Sequence, residues 1–258
     1  MKRSIELRTG CSGYYNRHWK KIFYPEKLPQ KKWFEYYCSQ FNTVELNTTF
    51  YRFPTAASLH TWYKDSPDGF LISVKAHQLI THSKRFKDCQ QQIDEFYLAC
   101  EEGLKEKLGC VLFQLPPTIK FSEEKLQQII SGLNPKFKNV VEFRHPSWWT
   151  KKIYDELAGH DIIFCTVSHP AMPEAIIANT STVYVRLHGV PEMFYSGYDA
   201  EYLDQMLEVI LKKRNVKDGY IYFNNTAGNE GVVNAMQFQK LIQEHNLSSS
   251  SLVDPLIR

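Results

Sequence analysis

Three short runs in the sequence carry polar or charged residues at the end of a strand-like pattern. They cover residues 43–47, 140–144 and 183–188. Each run alternates apolar and polar residues, so its polar side chains should share one face near the C-terminal end of a strand. Because burying a charge costs several kcal/mol even after relaxation, this many charges in such positions indicate a binding or catalytic site.

Two glutamates and a histidine in these runs are candidates for catalysis. Two carboxylates in different environments can have separated pKa values and so act as acid and base. A histidine can move a proton near physiological pH. The predicted catalytic residues are therefore Glu45, Glu142 and His188. The alternative is that each glutamate forms a structural ion pair with a neighbouring arginine or lysine.

Basic residues on the same faces outnumber these glutamates. A surplus of positive charge walled by protein concentrates an anionic ligand, and arginine suits bidentate recognition of phosphate or carboxylate. We predict a small anionic ligand, such as a phosphorylated or carboxylated sugar, unless a loop acid such as Glu192 or Glu230 balances the charge. The predicted ligand-binding residues are Asn47, Lys75, Gln114, Arg144, His145, Arg186 and Asn224.

A charged site of this kind is expected to be strained, because functional sites tend to cost stability. We therefore expect Arg186→Met to leave the protein as stable as the parent chain or more so. A loss above ~3 kcal/mol, the scale for breaking a needed buried pair, would instead favour the structural ion pair.

Three functions fit these residues. The first is a hydrolase or isomerase that uses acid and base chemistry, and the second is a ligand-binding or regulatory barrel without turnover. The third is a metal-dependent phosphodiesterase or nuclease, with a divalent metal on His188 and the glutamates. No cofactor and no metal ligand are predicted, because no aspartate ends a strand and the sequence has neither HxH nor HExxH.

Eight strand-like runs alternate with helical patterns along the chain. This alternation predicts a single-domain (β/α)8 TIM barrel of eight parallel strands over residues 1–247, with a mobile tail at 248–258. The rival, a doubly wound open sheet, usually has unbroken aliphatic strands. The strands are expected at residues 5–11, 43–48, 70–75, 110–115, 140–144, 162–167, 182–188 and 220–225. The helices are expected at 32–41, 56–65, 88–107, 123–133, 148–159, 200–214 and 232–245, with a short, weakly helical sixth connection at 171–178.

Composition narrows the partners and the compartment. The chain of 258 residues has 31 basic and 28 acidic residues, a balance that does not favour nucleic-acid binding. No run approaches the ~20 apolar residues that cross a bilayer, so no membrane partner is expected. Six cysteines without a CxxC pair favour a reduced, cytoplasmic protein. The sequence leaves the oligomeric state open.

Several short blocks, in order, resemble the signature of a known family. They are Gly10-Cys11-Ser12-Gly13-Tyr14, the segment 43–51 (TVELNTTFY), Gln114-Leu115-Pro116-Pro117, Val141-Glu142-Phe143-Arg144-His145, Arg186-Leu187-His188-Gly189 and Phe223-Asn224-Asn225. Together they resemble the YecE-like family, domain of unknown function seventy-two, from about residue 10 to 247. The resemblance implies a TIM barrel and attaches no reaction to it. Its blocks contain most of the strand-end residues chosen above, which supports the site and leaves the substrate open.

Overall fold

Eight parallel strands form the centre of the protein. The computed structural model describes residues 5–245, and the expected tail at 248–258 lies outside them. The strands follow one another around a single sheet in the order β1-β8-β7-β6-β5-β4-β3-β2, which confirms the predicted (β/α)8 barrel. They are β1 Glu6–Cys11, β2 Thr43–Leu46, β3 Leu71–Lys75, β4 Leu108–Gln114, β5 Lys138–Glu142, β6 Ile163–Ser168, β7 Thr182–Leu187 and β8 Asp218–Phe223.

Helices connect the strands on the outside of the barrel. They are α1 Trp33–Gln40, the one-turn α2 Thr48–Tyr51, α3 Ala56–Asp65, α4 Gln90–Leu104, α5 Glu123–Gly132, α6 Lys151–Gly159, α7 Ala200–Lys212 and α8 Glu230–Glu244. Short helical turns lie at Arg17–Trp19, Gln30–Lys32, Leu79–Ser83, Lys105–Lys107 and Pro146–Trp148. The weakly helical pattern of the sixth connection forms no helix. None of the helices within residues 5–245 has the length and apolar character that crossing a membrane requires.

Local sequence sets several helix starts. The Ser122 hydroxyl accepts from the backbone N–H of Lys125, and two glutamates in the first turn of α5 complement the helix dipole. Asp199 caps α7 in the same way by accepting from the N–H of Tyr202. These caps place each helix start directly after the loop that leaves the C-terminal end of a strand.

The strand alternation separates two cores. One face of the strands packs on the helices, as where the Phe143 ring stacks on Trp148 at 4.2 Å between centroids. The other face fills the barrel interior with a small, mainly apolar cluster: Cys110, Leu112, Val140, Ile163, Cys165, Val167, Tyr184, Tyr220 and Tyr222. The charged residues predicted to point inward therefore lie above an apolar floor, at the C-terminal mouth of the barrel.

Three strands, β2, β5 and β8, end two residues earlier than the alternation predicted. β2 ends at Leu46, because Asn47 has helical backbone angles (φ −92°, ψ −10°) and leads into α2. The Thr49 hydroxyl is within hydrogen-bonding distance of Leu46 O (3.1 Å) and Lys75 O (2.7 Å), so it ties the ends of β2 and β3 together. β5 ends at Glu142, which places Arg144 in the loop that follows.

Side chains bridge the seam between β1 and β2, which are not neighbours in the sheet ladder. The Thr9 N–H donates to Asn42 Oδ1 at 3.3 Å. The Tyr37 hydroxyl accepts from the Cys11 N–H at 2.7 Å and donates to Thr43 O at 3.1 Å. A tyrosine from α1 thus replaces a strand-to-strand hydrogen bond and closes the barrel.

Gly10→Ala tests this closure. A methyl group at residue 10 would lie 2.2 Å from Thr43 O and 2.7 Å from the Tyr37 hydroxyl, so β1 and β2 would have to separate. We expect a loss of about 1–3 kcal/mol or more in the free energy of unfolding, the scale of an overpacked core, measured by urea denaturation.

Gly159→Ala is the matched control, because nothing lies within 4 Å of a methyl group there at the end of α6. It should be neutral or stabilising by up to ~1 kcal/mol through helix propensity. Equal effects of the two substitutions would show that the seam does not depend on close approach at Gly10.

Candidate functional site

A buried arginine at the mouth holds the two predicted glutamates. Arg186 on β7 donates from Nη2 (2.7 Å) and Nε (3.1 Å) to Glu45 Oε1 on β2. Its Nη1 donates to Glu142 Oε2 on β5 at 2.5 Å. Both carboxylates are 0% exposed and Arg186 is 1% exposed. The three residues connect strands on different sides of the barrel through charge-assisted hydrogen bonds.

Further donors occupy the remaining carboxylate oxygens. The Tyr184 hydroxyl donates to Glu45 Oε2 at 2.6 Å, and Arg144 Nε donates to Glu142 Oε1. We call Glu45, Glu142, Arg144, Arg186 and His188 the charge network. Every carboxylate oxygen in it has a donor from the protein itself, as a buried ion must have to offset its desolvation.

The histidine of the network is neutral. Burial, together with the positive charge of Arg144, lowers the pKa of His188 to about 3. Arg144 Nη2 lies 3.0 Å from His188 Nε2, and a guanidinium can only donate, so Nε2 accepts. The single ring proton then sits on Nδ1, 2.8 Å from the side-chain amide of Asn224. Rotating the Asn224 amide by 180° exchanges its nitrogen and oxygen, so that the oxygen accepts a hydrogen bond from this proton.

The charges of the network stabilise one another. Burial raises the pKa of the Glu142 carboxyl, but Arg144 and Arg186 outweigh burial and hold that pKa well below its ordinary value. Burial lowers the pKa of Arg186, and the two glutamates outweigh it in the opposite direction. Both groups are therefore charged throughout the physiological pH range.

Lys75 lies beside the network without joining it. It ends β3, is half-buried, and its Nζ stands 4.0 Å from the centroid of the Phe50 ring. Burial, followed by the positive charge of Arg186, lowers its pKa to about 8. Three cations and two carboxylates thus leave the mouth with one net positive charge. Within residues 5–245, neither Glu192 nor Glu230 pairs with these cations.

The other predicted ligand-binding residues surround this centre. Gln114 lies opposite Glu142 in the strand register and donates to Leu115 O at 2.9 Å. Asn47 follows β2, and its buried Oδ1 has no hydrogen-bond partner among residues 5–245. His145 caps the turn Pro146–Trp148 by accepting from the Ser147 N–H at 3.1 Å. Neither Asn47 nor His145 is hydrogen-bonded to the network, and a role for either in ligand binding stays a prediction.

Sequence reasoning missed two aromatic neighbours of the site. Phe50 lies under Lys75 but belongs to the one-turn α2, where strand alternation gives no signal. The His169 ring lies 5.9 Å from that of His188, in the loop after β6. The segment 43–51 contains Phe50, so only the family-like block could have drawn attention to it.

The residues do not converge as metal ligands. Within residues 5–245, no three His, Cys, Asp or Glu side chains are arranged to hold a metal ion. The carboxylates that the metal-dependent interpretation requires are bound by Arg144 and Arg186. The contacts of these carboxylates therefore favour a site that recognises its ligand through arginine and lysine cations over a site that uses a metal.

A cavity of about 640 Å³ lies elsewhere, on the flank of the barrel. Its lining includes Thr166, Val185, Leu187, Tyr202 and Met206. It occupies the outer surface of β6 and β7, where the sixth connection supplies no helix. Its lining also includes His169, whose ring lies 5.9 Å from that of His188.

A parallel barrel with its charged side chains gathered at the C-terminal strand ends is a TIM-barrel protein with its candidate site at the mouth. The model of the family described as "Protein of unknown function DUF72" matches residues 8–255. The chain belongs to this family. The resemblance found in the sequence is thereby confirmed, and the description attaches no reaction to the fold.

Curated relatives and solved structures agree with this assignment. The chain is 26% identical over 252 residues to the UPF0759 protein YunF of Bacillus subtilis (strain 168), covering 85% of this chain and 89% of that protein. It is 31% identical over 118 residues to the UPF0759 protein YecE of Escherichia coli (strain K12), covering 45% and 43%.

Two crystal structures of DUF72 family proteins superpose on the barrel. The protein from Thermotoga maritima MSB8 has a TM-score of 0.83 and 30% identity, covering 92% of this chain and 99% of its own. The protein from Enterococcus faecalis V583 has a TM-score of 0.81 and 19% identity, covering 98% and 100%. The second likeness is one of fold alone.

Arg186→Met tests the network. It leaves two fully buried carboxylates without their shared cation, so we expect a loss of about 3–5 kcal/mol in unfolding free energy at neutral pH. The ion-pair geometry thus reverses the expectation from sequence alone. In the parent chain the depressed pKa of Glu142 stabilises the fold at neutral pH, and this stabilisation is lost as the pH falls through that pKa.

In the variant the buried Glu142 carboxyl keeps only one of its two cations, so protonation relieves part of the cost of its burial, and the stability deficit relative to the parent chain should narrow as the pH falls toward about 4 and below. Urea denaturation at neutral and acid pH measures this change. Arg8→Met is the control, because Arg8 is also an inward arginine but pairs with Glu6, whose side chain is 40% exposed; we expect a loss of ~1 kcal/mol or less. Equal losses, or a deficit independent of pH, would contradict the network.

Proposed function

We propose that the mouth of this barrel binds a small anionic ligand, such as a phosphorylated or carboxylated sugar. The observation that carries the proposal is the division of charge at the mouth. Both carboxylates are buried and paired, whereas the half-buried Lys75 has no ion-pair partner among residues 5–245 and Arg144 is partly exposed. A ligand entering the mouth would therefore meet cations first, with the acids behind them.

The lowered pKa values of two neighbouring histidines are in keeping with a positive potential here. Burial lowers the pKa of His82, and the charges of Lys75 and Arg144 lower it further. Burial and Arg144 lower the pKa of His169 in the same direction. A bound anion would reduce the electrostatic repulsion between these neighbouring cations, and this reduction would contribute to the ligand's affinity.

The contacts divide the predicted residues into those that would position the arginines and those that would bind the ligand. Glu45, Glu142 and His188 have their polar atoms occupied by the protein, so we assign them to the positioning of Arg144 and Arg186. Those arginines and Lys75 would hold the anion. The unpaired Oδ1 of Asn47 would accept a hydrogen bond from a ligand hydroxyl, as a buried acceptor requires.

A hydrolase or isomerase would then use Lys75 for proton transfer. Its pKa of about 8 lies near neutrality, where a general acid or base works best. The second candidate is a binding or regulatory barrel without turnover, which the full occupation of Glu45, Glu142 and His188 favours. A ligand recovered unchanged after prolonged incubation with the protein would select that candidate.

We also propose a cytoplasmic location. All six cysteines are buried and have free thiols. Unpaired thiols are typical of proteins that are kept in a reducing compartment.

Lys75→Met tests the anion site. Binding of inorganic phosphate, measured by calorimetry, should weaken about 10- to 100-fold, since a hydrogen bond to a charged group contributes about 1.5–3 kcal/mol. Because Lys75 has no carboxylate partner in the part of the chain that the structure describes, the variant should fold with at least the stability of the parent chain.

Lys138→Met is the matched control for net charge. Lys138 begins β5 at the opposite end of the barrel and pairs with Asp218 at 2.5 Å. Phosphate affinity should be unchanged in this variant at physiological salt, where distant surface charges are screened. An equal loss in both variants would reduce the effect to overall charge, and no binding by the parent chain would refute the anionic ligand.

A further inference from the structure

Lys75 differs in its surroundings from Lys107, a buried lysine of the same barrel. Lys107 is 5% exposed and donates to two backbone carbonyls, Tyr63 O at 2.9 Å and Ser66 O at 2.6 Å. Lys75 donates to no acceptor among residues 5–245, and its Nζ lies over the face of Phe50. The amine of Lys107 is hydrogen-bonded to the protein, whereas the amine of Lys75 lies at the mouth without an acceptor among residues 5–245.

The strand end that carries Lys75 and the ring beneath its amine are both held in place. Lys75 pairs with Leu112 in the sheet, and its carbonyl accepts from the Thr49 hydroxyl at 2.7 Å. Phe50, the ring under Nζ, packs edge-on against His82 at 4.9 Å and Tyr51 at 5.0 Å. A nucleophile needs this kind of fixed placement, because orientation supplies much of the rate of an attack on a bound partner.

The amine is also partly unprotonated under physiological conditions. Its pKa of about 8 leaves roughly a tenth of it neutral at pH 7, against less than about one in a thousand for an ordinary lysine. Desolvation and a neighbouring cation are the two known ways of activating a lysine nucleophile. Both act here, through the partial burial of Lys75 and the charge of Arg186.

We propose that Lys75 forms an imine with the carbonyl carbon of a small anionic aldehyde or ketone whose anionic group is held by Arg144. This inference rests on the proposed function and narrows its ligand class to carbonyl compounds, including the open-chain form of a sugar acid or sugar phosphate. It assigns Lys75 a covalent role in place of simple proton transfer.

The chemistry balances without a cofactor. The Nζ lone pair attacks the carbonyl carbon, the C–O π electrons move to oxygen, and a proton passes from nitrogen to oxygen to give a carbinolamine. Uptake of one proton from solvent expels that oxygen as water and leaves an iminium ion. The iminium has the same charge as the ammonium form of Lys75, so its contact with the Phe50 ring remains favourable.

Reductive trapping tests this step on the full chain. Pyruvate is the probe, and sodium cyanoborohydride delivers hydride to an iminium carbon to give a stable secondary amine. Peptide mapping by mass spectrometry should find modification at Lys75 at least about tenfold above exposed lysines such as Lys240, in keeping with the larger neutral fraction of its amine. The Lys107 peptide is an internal control and should stay unmodified.

Lys75→Arg retains the positive charge but has no amine to form an imine, so residue 75 should carry no adduct and the remaining modification should be confined to the background level of the exposed lysines. Modification spread evenly over the lysines of the parent chain would overturn the proposal even if this variant failed to fold. Added inorganic phosphate should reduce trapping at Lys75 by competing for Arg144, whereas trapping at Lys75 insensitive to phosphate would overturn the assigned anion contact.

Lactate separates failure of the imine from failure of the anion site. It has the carboxylate of pyruvate but no carbonyl group, and ligand binding raises the melting temperature by mass action. Equal thermal shifts with lactate and pyruvate, without trapping, would retain the anion site and remove the imine. If neither compound shifted the melting temperature and no trapping occurred, both proposals would be refuted.

Discussion

The mouth of the barrel depends on one arginine shared by two buried carboxylates. Glu45, Glu142 and Arg186 come from β2, β5 and β7, strands that are not neighbours in the sheet. Each charge would be unfavourable by itself in this environment, and removal of one partner would strand the others. The ion pairs therefore hold distant strands at fixed separations across the barrel, which hydrogen bonds between adjacent strands cannot do.

This constraint also decides which groups remain available to a ligand. The glutamate oxygens are filled by Arg186, Arg144 and Tyr184, so no carboxylate is left to neutralise Lys75. Of the two carboxylates, Glu142 also keeps Arg144 in place at the rim. Because the network occupies its own carboxylates, a surplus of positive charge remains above it at Lys75. The structural and the functional interpretation of the glutamates are therefore compatible.

Strand alternation was sufficient to predict the residues but not their partners. It turned Glu45, Lys75, Glu142 and Arg186 inward because side chains on a strand have a period of two, and all four lie at the mouth. The pairing of Arg186 with both glutamates depends on distances across the barrel, which no local pattern encodes. Beyond a strand end the period is lost, which is why Phe50 escaped prediction and why the cap formed by His145 was not anticipated.

The segment 43–51 is where closure of the barrel and construction of the site meet. Thr43 accepts from Tyr37 at the seam and contacts the Tyr222 hydroxyl at 2.5 Å inside the barrel. Two residues later Glu45 binds Arg186, and four beyond that Thr49 binds the end of β3 and leads to Phe50 under Lys75. A shift of one residue in register would turn Thr43 and Glu45 away from the interior together. A longer β2 would extend the chain past Lys75 in place of α2, removing the ring beneath its amine. The four-residue strand and the one-turn helix are therefore a joint requirement of the fold and of the lysine at the mouth.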